Sequence, residues 1–213
     1  MERRETLSLN EWAVLACLAE RPRHGYDIAA ALAPGSEVGT VWRVPRPVVY
    51  RALDRLTALG LAAPQGSEPG EGGPPRQVVE ATAAGRERLR EWLATPVDHL
   101  REVRGALLLK LVTARRLGVD AAPLVAAQRE RFAPALGALA RPPDQDDVVA
   151  LWRHHSGAAV GAFLAALAGS RRRRSGDVVE LLGVHDEGVD DEEVDAEHPQ
   201  RPQRLGEDEE HRQ

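Results

Sequence analysis

Apolar residues recur at helical spacing near the N-terminus, and each recurrence is bounded by helix start and stop signals. The first follows "SLNE" at residues 8–11, which has capping-box spacing, and places Trp12, Leu15 and Ala16 on one face. The second runs from about residue 24 to residue 32, before a Pro-Gly pair. The pattern predicts two short helices, the first ending near Glu20.

The third recurrence, "RVPRPVVYRALDRLTALGL" at residues 43–61, is strongly basic. Val49, Leu53 and Leu56 share one face of a helix, while arginines fill many of the other positions. Pro47 suits the first turn, where a missing amide hydrogen costs nothing, and Gly60 suits the position after the last helical residue. We predict a helix with one packing face and one basic face.

A short apolar segment and a second segment that can return as a strand follow this helix. "LAAP" (61–64) and "RQVVEA" (76–81) are typical of two strands, and the Gly/Pro-rich "QGSEPGEGGPP" (65–75) of the turn between them. Thr82 then caps a fourth helix that Pro96 closes. Three helices, a two-stranded hairpin and a helix are the order of a winged helix-turn-helix.

The second half of the chain carries three further amphipathic stripes, which predict an all-helical region. Their apolar positions are Leu100, Val103, Leu107 and Leu111; Leu124, Phe132, Leu136 and Leu139; and Val148, Trp152, Ala159, Phe163 and Leu167. Packing is favoured over a cofactor site for each stripe. Core or interface positions are likewise favoured over an aromatic pocket for Trp92, Phe132, Trp152 and Phe163.

The chain has 213 residues and a formal net charge of −5 at pH 7, but this charge is unevenly distributed. Basic and acidic residues number 12 and 12 over residues 1–95, 13 and 7 over 96–175, and 3 and 14 over 176–213. The last segment lacks aromatic residues and cannot bury enough apolar surface to fold. We therefore predict that residues 171–213, "RRRR" followed by the acidic segment, are a disordered tail.

Several function classes are disfavoured. Cys17 is the only cysteine and has apolar neighbours, which excludes an internal disulfide, fits a reducing compartment and favours an inert buried thiol. No apolar run approaches the roughly 18 residues of a membrane span, and the N-terminus lacks a signal peptide's apolar stretch. His154 and His155 are adjacent rather than at metal-ligand spacing. We expect a soluble, cytoplasmic protein that is not an enzyme and holds neither metal nor cofactor.

Three segments form a recognisable set: "HGYDI" (24–28), "VVYRALDRLTALGL" (48–61) and "PRQVVEATAAGRERLREWL" (75–93). In their order and spacing they resemble the PadR-like transcriptional regulators. In that family the HGY element opens helix 2, the tyrosine-led run is the recognition helix, and a basic strand leads to Thr-x-x-Gly. "REVRGALLLKL" (101–111) is similar, less specifically, to the start of the family's C-terminal helical domain.

The resemblance implies a DNA-binding transcriptional regulator, more often a repressor, that controls operators near its own gene. It is also compatible with control by a small-molecule effector, which the sequence does not name. We expect a winged helix-turn-helix at 1–95, a helical dimerisation domain at 96–170 and the tail at 171–213. The wide apolar stripes at 98–118 and 146–168 predict a homodimer, which would bind a pseudo-palindromic operator in double-stranded DNA.

The candidate DNA-binding residues are those outside the packing face of the basic helix, together with one residue on the second strand. They are Arg43, Arg46, Pro47, Tyr50, Arg51, Arg55 and Arg76. Asp54 is expected to pair with Arg51 or Arg55. Tyr26 is expected to pack its ring against the third predicted helix, which is this basic helix.

Three alternatives stay open beside these expectations. The first is that the basic face is only solvated surface, and the second is that the winged helix binds a protein and never DNA. An acidic or apolar face on the third helix would favour the second alternative. For the tail, folding back to compete with DNA for basic surface is a hypothesis, and a solvated tail without that role is favoured over it.

Overall fold

The computed structural model describes residues 5–68, 76–144 and 146–181, and for Glu68 and residues 170–181 it describes the backbone alone. The elements follow in the order α1 (Leu9–Glu20), β1 (Arg23–His24), α2 (Gly25–Ala31), α3 (Glu37–Val41), α4 (Arg46–Ala58), β2 (Ala62–Glu68), β3 (Arg76–Ala81), α5 (Ala83–Ala94), α6 (Leu108–Arg116), α7 (Ala122–Leu139) and α8 (Val148–Leu181). A 3₁₀ turn (Leu100–Glu102) and a π-helical turn (Val103–Leu107) precede α6. The predicted class, a mostly helical protein with an N-terminal winged helix-turn-helix, is confirmed.

The helix ends follow the predicted capping chemistry. The Ser8 hydroxyl accepts a hydrogen bond from the Glu11 amide, and the Glu11 carboxylate accepts one from the Ser8 amide, so the capping box of α1 is complete. The Thr82 hydroxyl caps α5 by accepting a hydrogen bond from the Gly85 amide. The short helix α3, which was not predicted, is capped by Ser36.

Helix α4 has the predicted packing face. Pro47 lies in its first turn, and Gly60 follows its end with a φ of 69°, a conformation that side-chain-bearing residues rarely adopt. Val49, Leu53 and Leu56 are buried. These residues join a core cluster that contains most of α1, so the opposite side of α4 must face solvent.

The three strands form one antiparallel sheet in the order β1–β3–β2. β3 has the predicted bounds, but β2 runs to Glu68, past the predicted end at Pro64, with a bulge between Pro64 and Gly66. A ladder of backbone hydrogen bonds tolerates Gly and Ser, which explains why the Gly-rich stretch pairs. The tip at residues 69–75 lies outside the described residues. β1 is too short for periodicity to predict.

The second half contains its own buried cluster. Phe132, Leu107 and Leu164 meet there, which joins α7 and α8 to the segment before α6. Sequence spacing predicted one regular helix from about residue 98, whereas the backbone passes through the 3₁₀ and π-helical turns before α6. Val103 and Leu107 are nevertheless buried, as their positions in the predicted apolar stripe indicate.

Helix α8 extends past the predicted start of the tail at residue 171 and is described to Leu181. The rest of the predicted acidic tail, residues 182–213, lies outside the described residues, as do the side chains of "RRRR". Near its N-terminal end α8 exposes Val148, Val149 and Trp152. That part of the predicted stripe is therefore not core within a single chain.

Candidate nucleic-acid interface

The outer side of α4 presents arginine and tyrosine side chains to solvent. Arg46, Tyr50 and Arg51 are exposed, whereas Val49 and Leu53 on the other side are buried. Pro45 and Pro47 set the start of the helix, so Arg46 is its first residue. The predicted division of α4 into a packing face and a basic face is confirmed by this burial.

The tyrosine of α2 joins this surface to the hairpin. The Arg46 Cζ lies 5.3 Å and the Arg76 Cζ 5.7 Å from the centroid of the Tyr26 ring. Arg46 also lies 5.9 Å from the ring of Tyr50. We call Tyr26, Tyr50, Arg46 and Arg76 the arginine–tyrosine cluster. It brings α2, α4 and the start of β3 together at one exposed place.

Close packing between α2 and α4 supports the cluster. A Cβ atom on Gly25 would lie 2.7 Å from the Tyr50 Cε1 atom and 3.3 Å from the Leu53 Cδ1 atom. Because Gly25 has no Cβ, the side chains of Tyr50 and Leu53 can lie against α2 at that point. Gly25 thus contributes to the contact between α2 and α4.

Arg55 lies differently from the other candidates. Its Nη2 donates to Glu5 at 3.0 Å and its Nε pairs with Glu11 at 2.9 Å, so its charge is matched within the protein. The expected pairing of Asp54 with Arg51 or Arg55 was wrong, because no ion pair joins them in the described structure. The carboxylates that hold Arg55 come from the chain before and at the start of α1, too far in sequence for spacing to indicate.

The remaining candidate arginines form no ion pair with the carboxylate side chains that the structure describes. They are Arg43, Arg46, Arg51 and Arg76, and all four are exposed; the side chain of Glu68, opposite Arg76 in the β2–β3 ladder, is not described. Exposed cations gathered without counter-charges favour an anionic partner, because like charges otherwise repel.

Residues 14–91 match the family described as "Transcriptional regulator PadR-like family". Residues 14–91 are a PadR-like domain. The family is one of transcriptional regulators and not of enzymes. No curated protein matches the sequence.

Two of the solved structures similar to the chain are described as PadR or PadR-like proteins. A PadR-like transcription factor from Bacteroides fragilis is 25% identical over 38% of this chain and 73% of its own, with a TM-score of 0.32. Bacillus subtilis PadR in complex with operator DNA is 18% identical over 76% of this chain and 99% of its own, with a TM-score of 0.41. The Streptococcus mutans protein smu.1604c is 14% identical over 75% and 98%, with a TM-score of 0.36.

An ion-pair network joins the PadR-like domain to α6. Arg116 donates to both carboxylate oxygens of Glu20, at 2.5 and 2.7 Å, and to Glu37 at 3.3 Å; Arg23 also pairs with Glu20 at 2.5 Å. Burial alone would raise the pKa of Glu20, but the hydrogen bonds and charges of Arg116 and Arg23 outweigh it and hold that pKa below 4.5. The carboxylate raises the pKa of Arg116 in turn.

A buried lysine forms a second connection. Lys110 on α6 is 3% exposed, and its Nζ donates to the carbonyls of Thr95 and, at 2.8 Å, Trp92. The ammonium also lies 4.9 Å from the Trp92 ring, which stacks on Trp12 at 4.8 Å. Burial lowers the pKa of Lys110 from 10.5 to about 8, against the opposing charges of Glu102 and Asp98.

Two findings bear on the disfavoured functions. Within the described residues, no group of His, Cys, Asp and Glu side chains could hold a metal ion, and no helix is long and apolar enough to cross a membrane. Cys17 is buried, and desolvation, followed by the charge of Glu20, raises the pKa of its thiol to about 11. The expectation of a buried, unreactive thiol is supported.

Tyr26 was expected to pack its ring against the basic helix, now α4, and Arg46 of that helix lies 5.3 Å from the ring centroid. What the sequence did not predict is that the Tyr26 side chain is 53% exposed. Gly25, Ile28 and Leu32 form the buried face of α2, and helical spacing places Tyr26 away from that face. The helical spacing of these residues could therefore have indicated that Tyr26 is exposed.

Proposed function

We propose that this protein is a DNA-binding transcriptional repressor that acts as a homodimer on a pseudo-palindromic operator. The observation that carries the proposal is the set of exposed, unpaired arginines on and beside α4. Arginine suits this task because its planar guanidinium can donate two parallel hydrogen bonds to a phosphate or a guanine edge. The PadR-like domain supplies the regulatory context.

The proposed DNA contacts are the candidates that face solvent and form no ion pair with a described carboxylate side chain. They are Arg43, Arg46, Pro47, Tyr50, Arg51 and Arg76. Arg55 is left out of this set, since Glu5 and Glu11 already match its charge. Arg51 is the strongest candidate for reading base edges, because no described side chain competes for its guanidinium.

The homodimer is supported by apolar surface that the single chain leaves uncovered. Val148 and Trp152 on α8 are 73% and 72% exposed. A groove of about 920 Å³ adjoins them, between α8, the end of α7 and the segment before α6. A second copy would cover this surface and present two recognition helices about 34 Å apart, one turn of DNA. Residues 96–170 are accordingly proposed as the dimerisation domain and residues 1–95 as the DNA-binding domain.

Control by a small-molecule effector is part of the same proposal. A cavity of about 330 Å³ lies where the N-terminal segment, α5 and α6 meet, with Trp12, Trp92 and Lys110 in its lining. Ligand sites of this volume are common at the boundary between two parts of a protein. A molecule bound there would touch both the PadR-like domain and α6.

A winged helix that binds only proteins is the second candidate function. It would present an acidic or apolar face on α4, whereas the exposed face here carries Arg46, Tyr50 and Arg51. This basic character favours DNA.

A gel shift with fragments of the source genome, at several salt concentrations, tests the proposal. Selective retardation of a few fragments is expected, with affinity falling as salt rises. Absence of any shift at low salt would contradict DNA binding. A reporter placed behind a selected fragment should be more active when the gene is deleted; lower activity would indicate an activator instead.

A further inference from the structure

The ring of Tyr26 is the meeting point of two arginines from different elements. Arg46 opens α4 and Arg76 opens β3, yet both guanidinium carbons lie within 6 Å of the Tyr26 ring centroid, at 5.3 and 5.7 Å. Tyr26 itself belongs to neither element, because it lies in the first turn of α2. One side chain of α2 therefore connects the recognition helix with the wing.

Core packing does not account for this position. The buried residues of α2 are Gly25 and Ile28, and Leu32 is buried directly after the helix ends. Tyr26 is 53% exposed, so truncating its ring would leave no enclosed cavity. The ring is exposed aromatic surface whose close neighbours include two cations.

Stacking on an aromatic ring constrains a guanidinium without using its N–H donors. The attraction acts on the face of the group, and the donors around its edge stay free for an acceptor. Arg46 and Arg76 form no ion pair with any carboxylate side chain that the structure describes; the side chain of Glu68, which lies opposite Arg76 in the β2–β3 ladder, is not among them. An anion that accepts hydrogen bonds from both guanidinium groups would offset the repulsion between two cations beside one ring.

We propose that Tyr26 is a positioning residue that holds Arg46 and Arg76 together on a backbone phosphate of DNA. This inference rests on the proposed function and adds to it the coupling of recognition helix and wing. Without the ring, the side chains of Arg46 and Arg76 would each sample many rotamers. The two guanidinium groups would then contact the same phosphate less often. The phosphate contact would fix the register of the protein without reading sequence.

Two variants separate the ring from the hydroxyl group. Tyr26→Leu keeps apolar bulk but removes the ring, whereas Tyr26→Phe keeps the ring. Fluorescence anisotropy with a labelled duplex chosen by the gel shift should show Tyr26→Leu binding roughly threefold to tenfold more weakly, with a salt slope flatter by about one unit per lost phosphate contact. Tyr26→Phe should bind within about twofold of the parent. A loss in Tyr26→Phe as large as that in Tyr26→Leu would overturn the role of the ring.

A double-mutant cycle supplies a measurement that a merely structural residue would not change. In the parent, the affinity losses of Arg46→Ala and Arg76→Ala should be coupled, and in the Tyr26→Leu background they should become independent. Arg90→Ala, which removes an exposed arginine of α5 paired with Glu87, is the charge-matched control and should not couple to Tyr26.

The outcomes distinguish the two proposals. A parent protein that binds no duplex would overturn both of them. A parent that binds DNA while Tyr26→Leu shows the same affinity and salt slope would overturn this inference alone. Melting temperatures of all variants should agree within a few degrees, since the altered side chains are exposed.

Discussion

Arg116 and Glu20 form a two-bonded ion pair, at 2.5 and 2.7 Å, between α6 and the end of α1. The pair lies at the junction of the PadR-like domain with the C-terminal helices. Glu37 at the start of α3 accepts a further bond from the same guanidinium. Arg116 thereby connects α6 with α1 and α3.

Disrupting this pair should destabilise the protein in a pH-dependent manner. Arg116→Ala should lower the free energy of unfolding by about 1.5–3 kcal/mol at neutral pH, since it removes charge-assisted hydrogen bonds. The folded pKa of Glu20 is below 4.5, so this stabilisation is complete above about pH 4.5 and declines as the pH falls further. Urea denaturation at pH 7 and pH 4 would measure it. A variant with the parent's stability at both pH values would contradict the prediction.

Arg51→Ala and Arg55→Ala should have opposite consequences although both residues belong to α4. Arg51 is exposed and unpaired, so its loss should change stability by less than about 0.5 kcal/mol. It should weaken DNA binding by roughly 1–3 kcal/mol, with a flatter salt slope if the lost contact is to phosphate. Arg55→Ala should instead cost about 1 kcal/mol of stability and leave the salt slope unchanged.

Leu53→Ala is the core control for that pair. Leu53 is buried against α1, so the truncation should cost about 2–5 kcal/mol of stability. Melting temperature and DNA affinity at several salt concentrations would be measured for the three variants. An Arg51→Ala protein that unfolds early, or binds DNA as tightly as the parent, would mean that the basic face has been misplaced.

Residue spacing in the sequence predicts local features of the fold but not the contacts between distant elements. The capping box of α1, the bounds of β3 and the Thr82 cap are local patterns, and the structure has each where the sequence predicts it. The partners of Arg55 lie as far as 50 residues away, and the tyrosine between Arg46 and Arg76 lies on a third element. Such contacts depend on how elements pack, which periodicity does not encode.

The C-terminal half shows the same limit at the level of the backbone. The stripe Leu100, Val103, Leu107 and Leu111 identifies the helical face correctly. It cannot show that the segment before α6 passes through 3₁₀ and π-helical turns, because apolar residues three or four positions apart over one or two turns do not distinguish the helix types. Likewise, exposed Trp152 and buried Phe132 have equivalent places in their stripes, and only the packed structure separates them.

Lys110 should make stability rise with pH. Its folded pKa of about 8 is below the ordinary value of 10.5, so between these pH values the unfolded chain binds more protons than the folded protein. The difference in unfolding free energy between the parent and Lys110→Met should therefore grow in the parent's favour, by roughly 2–3 kcal/mol from pH 8 to pH 10.5. Chemical denaturation across this range measures it. A difference that stays constant would contradict the lowered pKa.

Gly25→Ala should affect DNA binding more than stability. The new Cβ would meet the Tyr50 ring at 2.7 Å, and this ring, 41% exposed, can move outward. Affinity should fall by roughly 1–3 kcal/mol as Tyr50 leaves its place beside Arg46. Gly60→Ala is the matched control: nothing lies near its Cβ, so only the strain of a φ of 69° should lower stability, by about 1 kcal/mol. Equal DNA affinity in Gly25→Ala and the parent would contradict the account.

Trp152→Asp should convert the proposed homodimer to a monomer. The side chain is 72% exposed in the single chain, so the substitution should leave helicity and the buried clusters intact. At the covered interface, however, a carboxylate would be desolvated without a partner. Sedimentation velocity at micromolar concentration would compare it with Val119→Asp, an exposed apolar position away from the groove. A parent that sediments as a monomer would contradict the dimer.

The buried cluster around α1 does not end with the family domain at residue 91, because Leu109 of α6 is fully buried within it. Val112 and Leu117 pack against the same cluster. Residues 1–95 alone would therefore lack one wall of their core. A chimera that took these residues from this chain would leave the space of the Leu109 side chain empty unless it also took α6.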